Sequence, residues 1–223
     1  MSAKRNIVTL DGPAGVGKTT LAKRVAEAMG IAYMDTGAMY RTLGWKLGAQ
    51  AASLDEAVLA ERLAPFSFSL SGSGAATVLA VNGVPVGNEI RTEEVGMLAS
   101  IVAKLPAVRD ALKKAQQDMG AATALVAEGR DMGTVVFPEA RCKIFLDASP
   151  QERARRRFDQ LVAMGETPDL EELTEQIRQR DEQDRNRALA PLRPADDAVI
   201  VDTTTLDIDG VFEEIMRHVR AAQ

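Results

Sequence analysis

The sequence predicts an α/β fold of three layers, in which a parallel sheet is flanked by helices, with a small antiparallel sheet insert and a short helical lid. Short apolar runs bounded by turns alternate with segments of helical periodicity, which is typical of β-α-β units and a parallel sheet. A glycine-rich loop joins the first apolar run to the first helix. One stretch between helices instead shows the alternation of an antiparallel strand.

The first elements follow from the apolar pattern at the start of the chain. Buried parallel strands are predicted at residues 7–10 and 31–34, because each is a short apolar run bounded by turn residues. A helix is predicted over residues 18–29, with Gly30 as its C-terminal stop. Asp35 offers an N-cap to a second helix.

One segment between helices has the two-residue hydrophobic period of a β-strand, unlike the helical segments around it. Apolar and serine side chains alternate over residues 66–71. The apolar run 78–81 is followed by Asn82-Gly83, a strong signal for a type I′ hairpin turn. We therefore expect a small antiparallel sheet within an insert of about residues 63–105.

The second half returns to alternating helices and strands. Ser149-Pro150-Gln151-Glu152 is a capping box with proline at the first helical position. Helices are expected at 92–104, 107–119, from 150 to about 164, at 169–189 and from 208, and strands at 123–127, 143–148 and 198–201. The 223 residues fit one domain, whose core comprises residues 1–62 and 106–223.

Composition narrows the function classes. No apolar run approaches a membrane span, and no signal-peptide pattern opens the chain, so a cytoplasmic location without membrane association is expected. The net charge of −5 argues against a general nucleic-acid partner. No heptad or large apolar stripe stands out, so a monomer is the default expectation.

The rare residues exclude further chemistries. Cys142 is the only cysteine, which excludes an internal disulfide, and His218 is the only histidine, which argues against a serine-histidine triad or a multi-histidine metal site. The single tryptophan, Trp45, is expected to lie in the core rather than to stack on a base.

Basic residues are distributed unevenly. No lysine follows Lys143, and nine of the 19 arginines lie between Arg153 and Arg193. Guanidinium groups bind phosphate in a bidentate way, so this stretch indicates an anion site. Helix faces covered with solvated ion pairs remain the alternative interpretation.

The glycine-rich loop carries the strongest signal. Residues 12–19 match G-x-x-x-x-G-K-[ST], the P-loop that wraps the phosphates of a nucleoside triphosphate with backbone N–H groups at a helix N-terminus. Lys18 is expected to reach the β- and γ-phosphates, and the Thr19 hydroxyl to bind Mg²⁺. The sequence therefore predicts a P-loop fold that binds a nucleoside triphosphate together with Mg²⁺ as cofactor.

The loop leaves the phosphate acceptor open. Switch GTPases need an Asn-Lys-x-Asp motif, which this sequence lacks, and motor-type ATPases usually carry a strand ending in Asp-Glu. Here the strand at 123–127 ends in Glu128-Gly129-Arg130-Asp131, which favours a small kinase with its own acceptor pocket. Arg180, Asp184 and Arg187 share one helix face, which suits a pocket for a sugar phosphate or a solvated ion-pair helix.

Five segments resemble the bacterial cytidylate kinase family. They are residues 11–19 (DGPAGVGKT), 35–41 (DTGAMYR), 129–138 (GRDMGTVVFP), 143–148 (KIFLDA) and 185–187 (RNR). The resemblance spans nearly the whole chain, and the 129–138 run is distinctive of that family. It implies transfer of the γ-phosphoryl group of ATP to CMP or dCMP, which would be the partners of this chain.

The resemblance also implies residue roles. ATP would be bound by Gly12, Pro13, Ala14, Gly15, Val16, Gly17, Lys18, Thr19 and Thr20, with Arg153, Arg156 and Arg157 closing from a lid at about residues 153–169. The monophosphate side would be held by Thr36, Tyr40, Arg41, Arg130 and Arg187, the cytosine edge by Ser100, Arg109 and Asp131, and the sugar by Arg180 and Asp184. The catalytic groups would be Lys18, Arg130, Arg157 and Arg187.

Two alternatives stay open at this stage. One is a P-loop kinase that acts on another nucleotide or a small metabolite. The other is a nucleotide-binding regulator without an acceptor. The main interpretation needs no strong general base, because the attacking group of CMP is already an anionic phosphate oxygen.

Overall fold

The computed structural model describes residues 6–222, in which helices and strands alternate as expected. The strands are β1 (Ile7–Asp11), β2 (Ala32–Asp35), β3 (Phe68–Ser71), β4 (Val78–Val81), β5 (Val84–Pro85), β6 (Leu125–Gly129), β7 (Cys142–Asp147) and β8 (Val199–Asp202). The helices are α1 (Lys18–Met29), α2 (Thr36–Leu47), α3 (Glu56–Leu63), α4 (Glu93–Val102), α5 (Pro106–Ala122), α6 (Pro150–Ala163), α7 (Leu170–Asn186) and α8 (Ile208–Ala221).

The strands form two sheets, and this confirms the predicted α/β class. The larger sheet has the strand order β2-β6-β1-β7-β8, and the smaller one has the order β3-β4-β5. By its contacts the chain divides into two units. The first unit contains the start of β1 and residues 26–128, and the second contains residues 8–25 and those from 129 onward.

The first unit combines a buried parallel strand pair with the small antiparallel sheet. Strands β2 and β6 pair in parallel, with Asp35 opposite Glu128 at their carboxyl ends. Asn82 and Gly83 both have positive φ, at 51° and 76°, which confirms the hairpin predicted between β4 and β5. Helix α2 packs closely on α4 at Gly44. A Cβ at this position would lie only 2.7 Å from the backbone nitrogen of Ala99 on α4, so a glycine is needed there.

The second unit is built on three parallel strands. Strand β7 pairs with β1 on one side and with β8 on the other. Its first five residues are all buried, so side chains on both faces of the strand are covered. Cys142 begins β7 and is buried. Ser149 Oγ accepts a hydrogen bond from the backbone nitrogen of Glu152 at 3.2 Å, so the predicted N-cap of α6 is present.

Two local features differ from the sequence-based picture. The prediction for Trp45 is wrong: its side chain is 43% exposed, and Lys46 Nζ lies 4.2 Å from its ring centroid. The buried face of α2 is formed by Met39, Leu43 and Leu47, at a spacing of four residues, which leaves Trp45 on another face. Residues 132–136, for which no element was predicted, form one turn of π-helix.

Between residues 6 and 222, no helix has the length and apolar character that crossing a bilayer requires.

Candidate phosphate-binding and acceptor sites

The glycine-rich loop lies between β1 and α1, as its sequence predicts. Gly12, Gly15 and Gly17 have φ values of 148°, 84° and 87°, which side chains with a Cβ rarely adopt. The first turn of α1 carries no acidic residue, so its N-terminal N–H groups and partial positive charge are available to an anion. The loop therefore has the backbone geometry of a phosphate cradle.

Lys18 and Thr19 occupy the two positions expected to act on the phosphates. Lys18 is buried, and its Nζ donates a hydrogen bond to the carbonyl oxygen of Pro13 at 2.6 Å. Thr19 and Thr20 are exposed on the first turn of α1. The hydrogen bond to Pro13 holds the Lys18 ammonium against the backbone of the loop.

A cavity of about 690 Å³ opens beside this loop. Its volume lies within the range of small-molecule sites. Arg156 lines it and donates to the carbonyl oxygen of Thr203 and, at 3.2 Å, to the Thr203 hydroxyl. The full lining is Gly15, Val16, Gly17, Lys18, Thr19, Thr20, Leu21, Glu152, Arg155, Arg156, Asp159, Gln160, Thr203, Leu206, Asp207, Ile208 and Val211.

The three lid arginines lie in different surroundings. Arg156 faces the cavity, and Arg157 is partly buried on the same helix. Arg153 is 1% exposed, and its guanidinium is engaged by Asp181 on α7 and by the carbonyl oxygens of Ala148 and Ala14. Of the described residues, those that line the cavity do not include Arg153.

Asp11 lies directly before the phosphate loop, and sequence reasoning missed its individual contacts. Its carboxylate accepts hydrogen bonds from the backbone nitrogens of Met132 and Gly133, at 2.9 and 2.7 Å. Its pKa is raised to about 6, mainly by burial and in part by the nearby Asp131, while the two N–H donors and Lys18 oppose the rise. The available signal was an acidic residue at the end of a strand, directly before the glycine loop.

The second unit brings together three of the predicted acceptor residues. Arg130 Nε donates to Asp184 Oδ2 at 3.0 Å, and Arg187 Nη1 lies 3.8 Å from Asp184 Oδ1. The three side chains are 16–22% exposed. Two guanidinium groups around one carboxylate keep a net positive charge, which suits an anionic ligand. Arg180 lies exposed on the same helix.

Asp131 adjoins this cluster in sequence. It is buried and occupies the N-cap position of the π-helical turn. It lies two residues after the end of β6, within the 129–138 run.

The first unit holds the remaining acceptor residues. Thr36 is buried, and its hydroxyl donates to the carbonyl oxygen of Glu128 at 2.7 Å. The Arg109 guanidinium lies 5.9 Å from the ring centroid of Tyr40, which brings two predicted residues together. Ser100 is exposed, and its hydroxyl donates to Gly96 within its own helix at 3.1 Å.

Arg41 is positioned by the backbone around α4. Its Nη1 donates to the carbonyl oxygens of Ile90 and Thr92, each at 3.2 Å. Burial, together with neighbouring Arg91, lowers the pKa of the Arg41 guanidinium. Arg91, which sequence reasoning missed, pairs with Asp35 at 2.8 Å.

A metal site made only of side chains is not found. Among residues 6–222, no three acidic, histidine or cysteine side chains lie close enough to hold an ion. Mg²⁺ usually takes one or two protein ligands and completes its shell with substrate phosphates and water. The exposed Thr19 hydroxyl at the edge of the phosphate loop fits that pattern.

Comparison with known proteins identifies the family. The profile described as cytidylate kinase matches residues 8–221. The cytidylate kinase of Oleidesulfovibrio alaskensis is 66% identical over 98% of this chain and all of its own length. That of Nitratidesulfovibrio vulgaris (strain Hildenborough) is 67% identical over 98% of this chain and 94% of its own, and that of Vibrio cholerae is 45% identical over 99% of both. The chain belongs to the cytidylate kinase family.

Proposed function

We propose that this protein transfers the γ-phosphoryl group of ATP to CMP or dCMP, forming CDP or dCDP and ADP. The observation that carries the proposal is the complete phosphate loop and adjoining 690 Å³ cavity in a chain whose relatives are named cytidylate kinase. A regulator without an acceptor is less consistent with that kinship.

Residues 12–20 would form the donor half of the site. Backbone N–H groups of the loop would hold the phosphates, and Lys18 would follow the transferred group. Arg156 and Arg157 would close from the lid, over about residues 153–169, and exclude water. Mg²⁺ would be held by the Thr19 hydroxyl and by ATP oxygens, and it would neutralise phosphate charge.

The acceptor nucleotide would be bound by the residues that the family resemblance assigns to it. Arg41, Arg130 and Arg187 would hold its phosphate, with Thr36 and Tyr40 on the same side. Asp131, Ser100 and Arg109 would read the cytosine edge. Arg180 and Asp184 would contact the sugar. In support, Asp184 already lies between Arg130 and Arg187, so the sugar and phosphate contacts of one nucleotide would be adjacent.

Phosphoryl transfer at such a site depends on position and charge. An oxygen of the CMP phosphate forms a bond to the γ-phosphorus of ATP, while the bond from that phosphorus to the β,γ-bridging oxygen breaks. The electron pair leaves with ADP. Because the attacking oxygen is already anionic, Lys18, Arg130, Arg157 and Arg187 would act by stabilising the spreading charge, and no general base is required.

An acceptor panel tests this function. ATP-dependent ADP release is measured with CMP, dCMP, UMP, AMP, GMP and no acceptor. We expect turnover with CMP and dCMP well above all others. Turnover with a different acceptor alone would identify another small-molecule kinase, and ATP binding without transfer to any monophosphate would identify a regulator. Sedimentation equilibrium of the same preparation checks the proposed monomer.

A further inference from the structure

The ion pair between Arg153 on α6 and Asp181 on α7 is deeply buried within the second unit. Arg153 is 1% exposed and Asp181 4%, and both nitrogens of the guanidinium fork donate to the two carboxylate oxygens. Burying two charges costs several kcal/mol of desolvation, so a pair of apolar side chains would often be equally stable. A contribution to folding stability is therefore a weak explanation for the presence of this buried ion pair.

The remaining donors of Arg153 reach two backbone carbonyls. Nε donates to Ala148 at 3.0 Å, at the end of β7, and Nη1 donates to Ala14 at 3.1 Å, within the phosphate loop. The loop also packs directly on this side chain, since a Cβ at Gly15 would lie 3.3 Å from the Cβ of Arg153. Arg153 thus supports the loop from outside the cavity.

The Ala14 carbonyl shares its peptide group with the Gly15 N–H. A trans peptide is planar, and its C=O and N–H point in opposite directions. An arginine that holds the Ala14 oxygen therefore directs the Gly15 N–H away from itself. Gly15 lines the cavity and has φ of 84°, so its backbone would otherwise have wide conformational freedom.

We propose that Arg153 is a positioning residue of the donor site, which fixes the Ala14–Gly15 peptide so that the Gly15 N–H meets a phosphate of ATP. Asp181 holds Arg153 in that position. This role of Arg153 rests on the proposed function in one respect, namely that the bound triphosphate is ATP. Arg153 then acts through the loop instead of through the direct triphosphate contact that the family resemblance implies.

Two kinds of variant separate positioning from stability. Arg153→Met combined with Asp181→Leu replaces the buried pair with apolar side chains and removes the bond to Ala14. Asp181→Asn keeps Arg153 but weakens its anchor. Arg178→Met, which removes a half-exposed arginine on the same helix, is the matched control. The measurements are the Kd of MgATP by calorimetry without acceptor, KM for ATP and for CMP, the thermal midpoint, and the Gly15 amide NMR shift.

We expect the double variant to fold and to bind MgATP about ten-fold more weakly, as the loss of a charge-assisted hydrogen bond predicts. KM for CMP should change far less, and the Gly15 amide should lose its shift on binding MgATP. Asp181→Asn should also weaken the binding of MgATP. If Arg153 instead contacted the triphosphate directly, the loss of the Asp181 carboxylate should not weaken that binding.

A folded double variant with wild-type affinity for MgATP would overturn the proposal, as would a lower thermal midpoint with unchanged affinity. If the double variant does not fold, Arg153→Lys serves instead, because one ammonium cannot reach Asp181, Ala14 and Ala148 together. Normal MgATP binding by that variant would overturn the proposal as well. A wild-type protein that binds MgATP but does not phosphorylate CMP contradicts the proposed function and leaves this inference intact.

Discussion

Asp11 Oδ2 lies 2.7 Å from the backbone nitrogen of Gly133, and this bond joins the strand before the phosphate loop to the run that follows Arg130. A Cβ at Gly133 would lie 3.0 Å from Thr9 Oγ1 and 3.4 Å from Asp11 Oδ2, so the approach requires a small residue. The run at 129–138 is thus held by the same strand that leads into the loop.

Asp11→Asn should alter how stability depends on pH. Burial raises the pKa of Asp11 to about 6, so its stabilising contribution is complete below its ordinary pKa of 3.8 and is lost as pH rises through 6. The loss for this fully buried carboxyl is up to about 3 kcal/mol. Urea unfolding between pH 4.5 and 7.5 should show the wild type losing stability relative to the variant as pH rises.

Asp197→Asn is the control with the opposite sign. A hydrogen bond from Lys143 lowers the pKa of Asp197, so its contribution is present above the ordinary pKa and is lost as pH falls. The wild type should therefore lose stability relative to this variant in acid. Parallel pH profiles for both variants would contradict the role assigned to Asp11.

Lys18→Ala should remove catalysis without unfolding the protein. The Lys18 ammonium is the charge expected to follow the transferred phosphoryl group, so kcat/KM should fall by at least about a hundred-fold. CMP-dependent ADP release and circular dichroism are the measurements. Lys23→Ala, on the same helix, is the control and should keep most activity. Near-normal ADP release by Lys18→Ala would disprove the phosphate-loop assignment.

Asp131→Ala should weaken discrimination between CMP and UMP. A carboxylate accepts from the exocyclic amino group of cytosine, whereas uracil presents a carbonyl oxygen there. The ratio of kcat/KM for CMP over UMP should fall by about ten-fold or more, since an unmatched polar contact costs that much in a buried site. Asp196→Asn, an exposed acid, should leave the ratio unchanged. An unchanged ratio in Asp131→Ala would count against its base-reading role.

Gly12→Ala should destabilise the protein far more than Gly30→Ala. The new Cβ at position 12 would lie 2.1 Å from the carbonyl oxygen of Leu146, and we expect a cost of about 3 kcal/mol or more. Gly30 also has positive φ, but a Cβ there meets nothing within 4 Å, so the cost should be about 1 kcal/mol. Urea unfolding compares the two, and equal effects would argue against steric closure at Gly12.

Local signals predicted much of the fold. Helix α1 begins and ends where the loop motif and Gly30 indicate, and the Asn82-Gly83 turn forms as its residue types require. Both depend on backbone conformations that a few neighbouring residues determine. The predicted site roles stay predictions, although Arg130, Asp184 and Arg187 lie together.

The features that sequence reasoning missed depend on distant partners. Asp181 looks like one member of a solvated charge pattern on α7, and only the packing of α6 beside it makes it the partner of Arg153. The prediction of a buried Trp45 was wrong because the sequence alone does not determine which face of α2 packs against the rest of the unit. The π-helical turn at 132–136 begins with two residues whose backbone nitrogens donate to Asp11, which is more than 120 residues away in sequence.

The buried thiol of Cys142 makes the natural chain suitable for site-specific labelling. Burial raises its pKa to about 11, so at neutral pH almost none of it is in the reactive thiolate form. A cysteine introduced at an exposed position, such as Ser69 on the small sheet or Gln179 on α7, would then be the one reactive thiol. Fluorescent or spin probes could report on either unit during turnover while the native residue stays in place.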